Sequence, residues 1–225
     1  MRNVSVLIPS CNFEYLQGCI KSILDWTDLA AYDAEVIVSI NGSGIEAVDY
    51  VKSLGERFRY TYADHRVGSC TATNLAAKMS DAKYLVRMDE DVLIQDWWWL
   101  KRFLEICEDE KVGQVGPWLQ HQFGYNTLVG FMYMTRRDLW NKLGGLDVTF
   151  EPGCGEDTDY SIKIQRLGYK VVTTNPDGSI FCVFHYSKES WRLGGIDAHA
   201  RNEPILVERY GPRDVYGETL REDLP

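Results

Sequence analysis

Asp89 and Asp91 stand one residue apart, directly after the apolar run Tyr84-Leu85-Val86-Arg87-Met88. Side chains at i and i+2 of an extended segment point the same way, so both carboxylates can approach one hard cation and the anionic groups it carries. Neutralising a diphosphate is the chemistry this spacing suits. A second acidic group, Glu156-Asp157-Thr158-Asp159, follows the loop Gly153-Cys154-Gly155. Acids at a helix start complement the positive end of its dipole, which explains one of them better than three. A carboxylate there can also take the proton of an attacking hydroxyl. His185 ends the strand-like run Phe181-Cys182-Val183-Phe184, and alone it reads as a partly buried histidine hydrogen-bonded at a strand end. His65, His121 and His199 have no comparable position and read as structural or exposed.

The elements that must position these groups alternate in type. Val4 to Pro9 reads as a buried strand, and Leu16, Cys19, Ile20, Ile23 and Leu24 then recur at helical spacing. Glu35 to Ile40 repeats the strand, closed by Asn41-Gly42-Ser43-Gly44, with Ile45, Val48 and Val51 on a following helix. Phe58 to Tyr62 is a weaker strand, Leu75, Ala76 and Met79 mark a short helix, and Tyr84 to Met88 delivers the acids. Strands alternating with helices predict an α/β fold with a mostly parallel central sheet, whose ligands bind beyond the carboxyl ends of the strands. The second half is less regular: a helix from about Asp96, short strands near Val112 and Val129, a helix from Glu156 to Leu167 and a strand from Tyr169 to Thr174. One domain over 1–225 is expected, with a nucleotide-binding half at 1–92, a catalytic half for the acceptor at 93–211 and a peripheral tail at 212–225.

Pro9, Ser10 and Asn12 fall in the loop after the first strand, where backbone and small polar side chains suit a nucleotide pocket. Pro9 ending a strand and Asn12 capping the next helix explain them equally well. Trp97-Trp98-Trp99 offers aromatic faces for sugar rings, yet Trp97, Leu100, Leu104 and Cys107 also form a helical core stripe. Trp118 and Trp140 carry no better signal. Arg136-Arg137, and Lys188 with Arg192, are candidate phosphate contacts, although solvated surface charge is the commoner role of such residues.

The net charge of −9 disfavours a general polyanion binder, so a nucleic-acid acceptor gains no support from composition. No apolar run approaches the roughly 20 residues that cross a bilayer, and no export signal opens the sequence. Six cysteines without paired or zinc-like spacing read as reduced thiols, and a cytoplasmic location is the expectation.

In their order along the chain these motifs resemble family 2 glycosyltransferases of the GT-A fold, over about Val4 to Gly211. The likeness rests on Val6-Leu7-Ile8-Pro9-Ser10-Cys11-Asn12, on Asn41-Gly42-Ser43, on Gly68 with Asn74, and on Asp89-Glu90-Asp91 as a DXD motif. Gly144-Gly145-Leu146-Asp147 and Gly155-Glu156-Asp157-Thr158-Asp159-Tyr160 complete it. The resemblance implies a nucleoside diphosphate-sugar donor, a UDP-sugar above others, held by Pro9, Ser10, Asn12, Asn41, Gly68, Asn74, Asp89 and Glu90. Glu90 is expected to point away from the cation, into the loop. The resemblance further implies Mg²⁺ or Mn²⁺ on Asp89, Asp91 and His185, with Asp157 as catalytic base, Glu156 orienting the acceptor or loop, and Asp159 on another side of the helix. Asn41 stands where similar proteins carry an acid. The reaction implied is transfer to an acceptor hydroxyl with inversion, the acceptor class open. A nucleotidyltransferase and a non-catalytic nucleotide-sugar-binding module are the alternatives. Against the first, the sequence has no N-terminal Gly-rich phosphate loop with its basic residue.

Overall fold

The computed structural model describes residues 2–174, 183–186 and 197–212. Cys182, Lys188, Arg192 and the tail beyond residue 212 lie outside the described residues. The first half alternates as expected: β1 (Val4–Ser10), α1 (Phe13–Trp26), β2 (Ala34–Asn41), α2 (Ile45–Ser53), β3 (Phe58–Ala63), α3 (Ser69–Met79) and β4 (Tyr84–Met88). After β4 come β5 (Val92–Ile94), α4 (Trp99–Cys107), β6 (Val112–Gly116), β7 (Leu119–Gln122), β8 (Tyr125–Leu128) and β9 (Met132–Arg136). Then follow α5 (Arg137–Leu143), a single 3-10 turn at Val148–Phe150, α6 (Glu156–Arg166), β10 (Lys170–Thr173), β11 (Val183–His185) and α7 (Ala198–Tyr210).

Seven strands form one sheet in the order β10-β6-β9-β4-β1-β2-β3. β1 pairs in parallel with β2 on one side and β4 on the other, while β9 runs antiparallel to both β4 and β6. The chain therefore leaves β1 toward one edge and returns on its other flank at β4, which opens a crevice beyond the carboxyl ends of these two strands. The period-two alternation splits the core into two layers. Val4, Val6, Ile8, Val36, Val38, Val86 and Met88 pack with Leu16, Ile20 and Ile23 of α1 and with Trp99, Leu100 and Phe103 of α4. Leu7, Ile37, Leu85 and Tyr133 face the opposite layer, with Ala76 of α3, Trp140 of α5 and Tyr160 and Ile164 of α6. Burial on both faces is why these strands read as continuous apolar runs.

Three differences from the sequence reading have local causes. α4 starts at Trp99 rather than near Asp96, because the Asp96 carboxylate accepts the Trp98 N–H at 2.9 Å and pairs with Arg102 at 2.8 Å. Its buried stripe is accordingly Trp99, Leu100, Phe103 and Cys107, and Trp97 is 55% exposed against Trp26. The single strand expected near Val129 is two, β8 ending at Leu128 and β9 starting at Met132, with residues 129–131 as a loop between them. α7 carries Pro204 inside it, which hid its helical pattern. The five described cysteines are free thiols, and no helix among the described residues is long and apolar enough to cross a membrane.

Candidate active site

A cavity of about 640 Å³ opens at the crevice, within the size range of small-molecule sites. Asp89 and Asp91 reach it from the turn after β4, and His185 from β11. The antiparallel pairing of β11 with β5 sets His185 opposite Val92, so its Nε2 lies 3.1 Å from Asp91 Oδ1 and 3.9 Å from Asp89 Oδ2. One ligand atom from each of the three lies within 4.8 Å of the other two. Phe131 stacks on the imidazole with ring centroids 4.5 Å apart, and the Tyr186 N–H donates to the Asp91 carbonyl at 3.2 Å, holding the histidine beside the acids.

The loop after β1 is tied to these acids by Glu90. Its carboxylate turns to the backbone N–H groups of Cys11 and Asn12, at 2.9 and 3.0 Å, which join two loops of the crevice. Burial raises the Glu90 pKa, against the Ser10 hydroxyl and those two N–H groups, which favour its charge. Pro9, Asn12, Asn41, Gly68 and Glu90 line the cavity. Asn12 also caps α1, accepting from the N–H groups of Glu14 and Tyr15. Asn41 grips the next loop, donating to the Gly68 carbonyl at 3.3 Å and accepting from the Val67 N–H at 2.6 Å. Gly68 has a φ of 95°, and a Cβ there would meet the Glu151 carboxylate at 1.9 Å. Two expected donor contacts are not brought to the cavity wall. Ser10 is fully buried against Ser43, and the Asn74 amide is used in both directions by the backbone of Leu146, at 2.8 and 2.9 Å.

The acids of α6 divide by position. Asp157 lines the cavity and accepts from the Gly130 N–H at 2.7 Å and the Thr158 N–H at 2.7 Å. Glu156 is buried, and burial together with the neighbouring Asp157 charge pushes its pKa up to about 8. Asp159 turns away from the cavity and binds Arg209 at 2.8 Å, Lys163 at 2.6 Å and the Tyr210 hydroxyl at 2.6 Å, so it fastens α7 to α6.

Sequence reasoning missed Arg87, hidden inside an apolar strand. Its guanidinium is 5% exposed, donates to Asp89 Oδ1 at 2.8 Å and lies 3.8 Å from Glu156 Oε1. Burial alone would favour its neutral form, but Asp89 and then Glu156 outweigh that and raise its pKa. One buried cation thus links the metal-type acids to the acids of α6. Asn202 of α7 was also missed: its amide nitrogen donates to the carbonyls of Phe150, Gly153 and Cys154 at 2.8, 2.8 and 2.9 Å, bracing the loop before α6. Trp118, 60% exposed, lines the cavity too. Its only distinguishing sequence signal is its place after the end of β6. Arg136 and Arg137 are not brought to the cavity: Arg136 pairs with Asp138, and Arg137 donates to the carbonyls of Ala77 and Ala82.

No curated protein matches the sequence. Solved structures share its fold. The mannosyltransferase PcManGT from Pyrobaculum calidifontis, in complex with GDP-Man and Mn²⁺, aligns at TM-score 0.64 and 21% identity over 77% of this chain and 55% of its own. GalNAc-T7 with UDP, GalNAc and Mn²⁺ aligns at TM-score 0.71 and 17% identity over 92% and 48%. S. aureus TarS 1-349 in complex with UDP-GlcNAc aligns at TM-score 0.60 and 15% identity over 76% and 55%. The chain thus spans about half the length of these structures. The profile of Glycosyl transferase family 2 matches residues 5–155, from β1 to the residue before Glu156. That span runs through β9 and takes in the acids after β4, and the chain belongs to glycosyl transferase family 2.

Proposed function

We propose that this chain transfers a sugar from a nucleoside diphosphate-sugar, a UDP-sugar above others, to an acceptor hydroxyl with inversion at the anomeric carbon. The observation that carries the reading is one cavity holding both the Asp89, Asp91 and His185 group and the Asp157 carboxylate. Two carboxylates and an imidazole fit Mn²⁺ or Mg²⁺, and the structural neighbours bound to GDP-Man or to UDP and GalNAc also contain Mn²⁺. A divalent ion held there supplies a Lewis acid for the leaving diphosphate.

The chain's own residues do the rest. Arg87 orients Asp89 through a buried charge-assisted hydrogen bond and favours its charged form against the burial that raises its pKa. Pro9, Asn12, Asn41 and Gly68 form the nucleotide wall, and Glu90 holds the Cys11 and Asn12 backbone against the acids. Asp157 takes the proton of the acceptor hydroxyl as that oxygen attacks the anomeric carbon. Both of its oxygens accept one backbone N–H, which orients the carboxylate and leaves each a lone pair for the proton. Inversion follows from a single displacement with Asp157 on the face opposite the departing diphosphate. The test is binding and hydrolysis of a panel of nucleotide sugars, with and without Mn²⁺. A metal-dependent preference for one donor supports the reading, and donor binding indifferent to metal and to Asp91→Asn overturns it.

A further inference from the structure

Trp118 has no ring partner among the described residues and exposes 60% of its surface inside the cavity. The other conspicuous tryptophans are accounted for: Trp97 packs on Trp26, Trp98 lies under Lys101, Trp99 is buried on Thr27 and Trp140 packs on Tyr160. A large aromatic face left open inside a cavity, rather than on a convex surface, is the kind of apolar area a ligand covers.

Its neighbours specify the ligand's chemistry. Trp118, Gln120 and Gln122 alternate along and just before β7, and all three line the cavity, so one face of this strand presents a ring followed by two amides. Gln122 is buried, donating to Gln120 and accepting from the Thr158 hydroxyl at 3.3 Å. Among the described residues nothing accepts from the Gln120 Nε2. The strip carries no charge. It is also tied to the candidate base: the Val129 N–H donates to the Trp118 carbonyl at 3.0 Å, and the next residue, Gly130, donates to Asp157.

We infer that the Trp118, Gln120 and Gln122 strip is the acceptor subsite and that the acceptor is an uncharged saccharide. A pyranose has an apolar C–H face that covers an indole and a hydroxyl rim that amides satisfy, and an uncharged strip offers nothing to a phosphate or an ionised peptide side chain. A ring stacked on Trp118 has its hydroxyls beside the segment that holds Asp157. The inference rests on the glycosyl-transfer reading and names its substrate class.

The test uses the full chain and two sets of probes. UDP and GDP with Mn²⁺ report on the donor site, and the methyl glycosides of glucose, galactose, mannose and N-acetylglucosamine report on the strip. Calorimetry and saturation-transfer NMR measure both. Trp118→Ala is expected to weaken the glycoside that wild type binds best by about tenfold or more, with nucleotide affinity within about twofold. Trp118→Phe should recover most of the loss, and Gln120→Ala should cost about threefold. Trp118 is exposed, so folding is retained and is checked by circular dichroism. Undiminished glycoside binding by Trp118→Ala overturns the inference. So does a wild type that binds none of the glycosides, or one whose Trp118-dependent binding is confined to aromatic compounds. Absent nucleotide binding in wild type would instead remove the donor reading, because that arm does not involve Trp118.

Discussion

The backbone N–H of Gly130 donates to Asp157 Oδ2 at 2.7 Å, across a gap that only a glycine leaves open. A Cβ on residue 130 would lie 2.8 Å from that oxygen and 2.9 Å from the Asp157 Cβ. Gly130→Ala must therefore move the carboxylate while leaving its charge in place. A misplacement of about 1 Å in a reacting group costs on the order of 100-fold. The expected outcome is a transfer rate down by about 10- to 100-fold with donor affinity unchanged. Wild-type kcat in a folded Gly130→Ala protein would show that Asp157 does not act from this position.

Asp157→Asn separates charge from shape. Asn keeps the size of the side chain but offers one acceptor oxygen, so it satisfies either the Gly130 or the Thr158 N–H rather than both. Transfer should fall by roughly two to four orders of magnitude, with nucleotide and Mn²⁺ binding retained. Single-turnover rates at saturating donor measure the loss. Near-normal turnover would move the base to another carboxylate of the cavity.

Removing a metal-type ligand should act on the donor side instead. Asp91→Asn deletes an anionic oxygen 3.1 Å from His185, and His185→Ala deletes the imidazole stacked on Phe131. Each should reduce the Mn²⁺-induced gain in nucleoside diphosphate affinity by about tenfold or more, because ligand charge and number set the affinity of such sites. Titrating UDP and GDP with and without Mn²⁺ reads this directly. An undiminished gain in both variants would place the ion elsewhere.

Much of the first half was legible because its strands are buried on both faces and its loops fall at one sheet edge. Asp89 and Asp91 stood out because two acids close an apolar run, and they do meet His185, although they reach it from a turn rather than from an extended segment. Arg87 was illegible for the opposite reason: a charge inside an apolar strand looks like a break in the pattern until Asp89 and Glu156 are seen to neutralise it. Asn74 misled because one polar side chain in a helix cannot announce whether it faces a ligand or, as here, the backbone of Leu146, 72 positions away. Trp97 and Trp99 exchanged roles because the Asp96 turn delayed the helix start and rotated the buried stripe. The docking of α7 depended on contacts that no local period encodes. Asn202 reaches three carbonyls of a loop about 50 positions earlier.

Glu156 makes a prediction about stability rather than turnover. It is buried beside Asp157, and the first cause of its raised pKa is burial, followed by the Asp157 charge, with Arg87 opposing both. A carboxyl whose folded pKa lies above its unfolded value of 4.5 binds its proton more tightly in the folded state, so the folded form is favoured at low pH. That advantage is lost as pH rises from the unfolded value toward the folded value of about 8. Glu156→Gln resembles the protonated acid at every pH. In metal-free and donor-free buffer, the variant should match wild type near pH 5 and become the more stable of the two by pH 9, by on the order of a few kcal/mol. Urea unfolding of both proteins across that range gives the difference directly. A difference that stays constant with pH, or that turns against the variant at high pH, would mean that Arg87 holds Glu156 ionised throughout and that the pair stabilises the fold as a charged one.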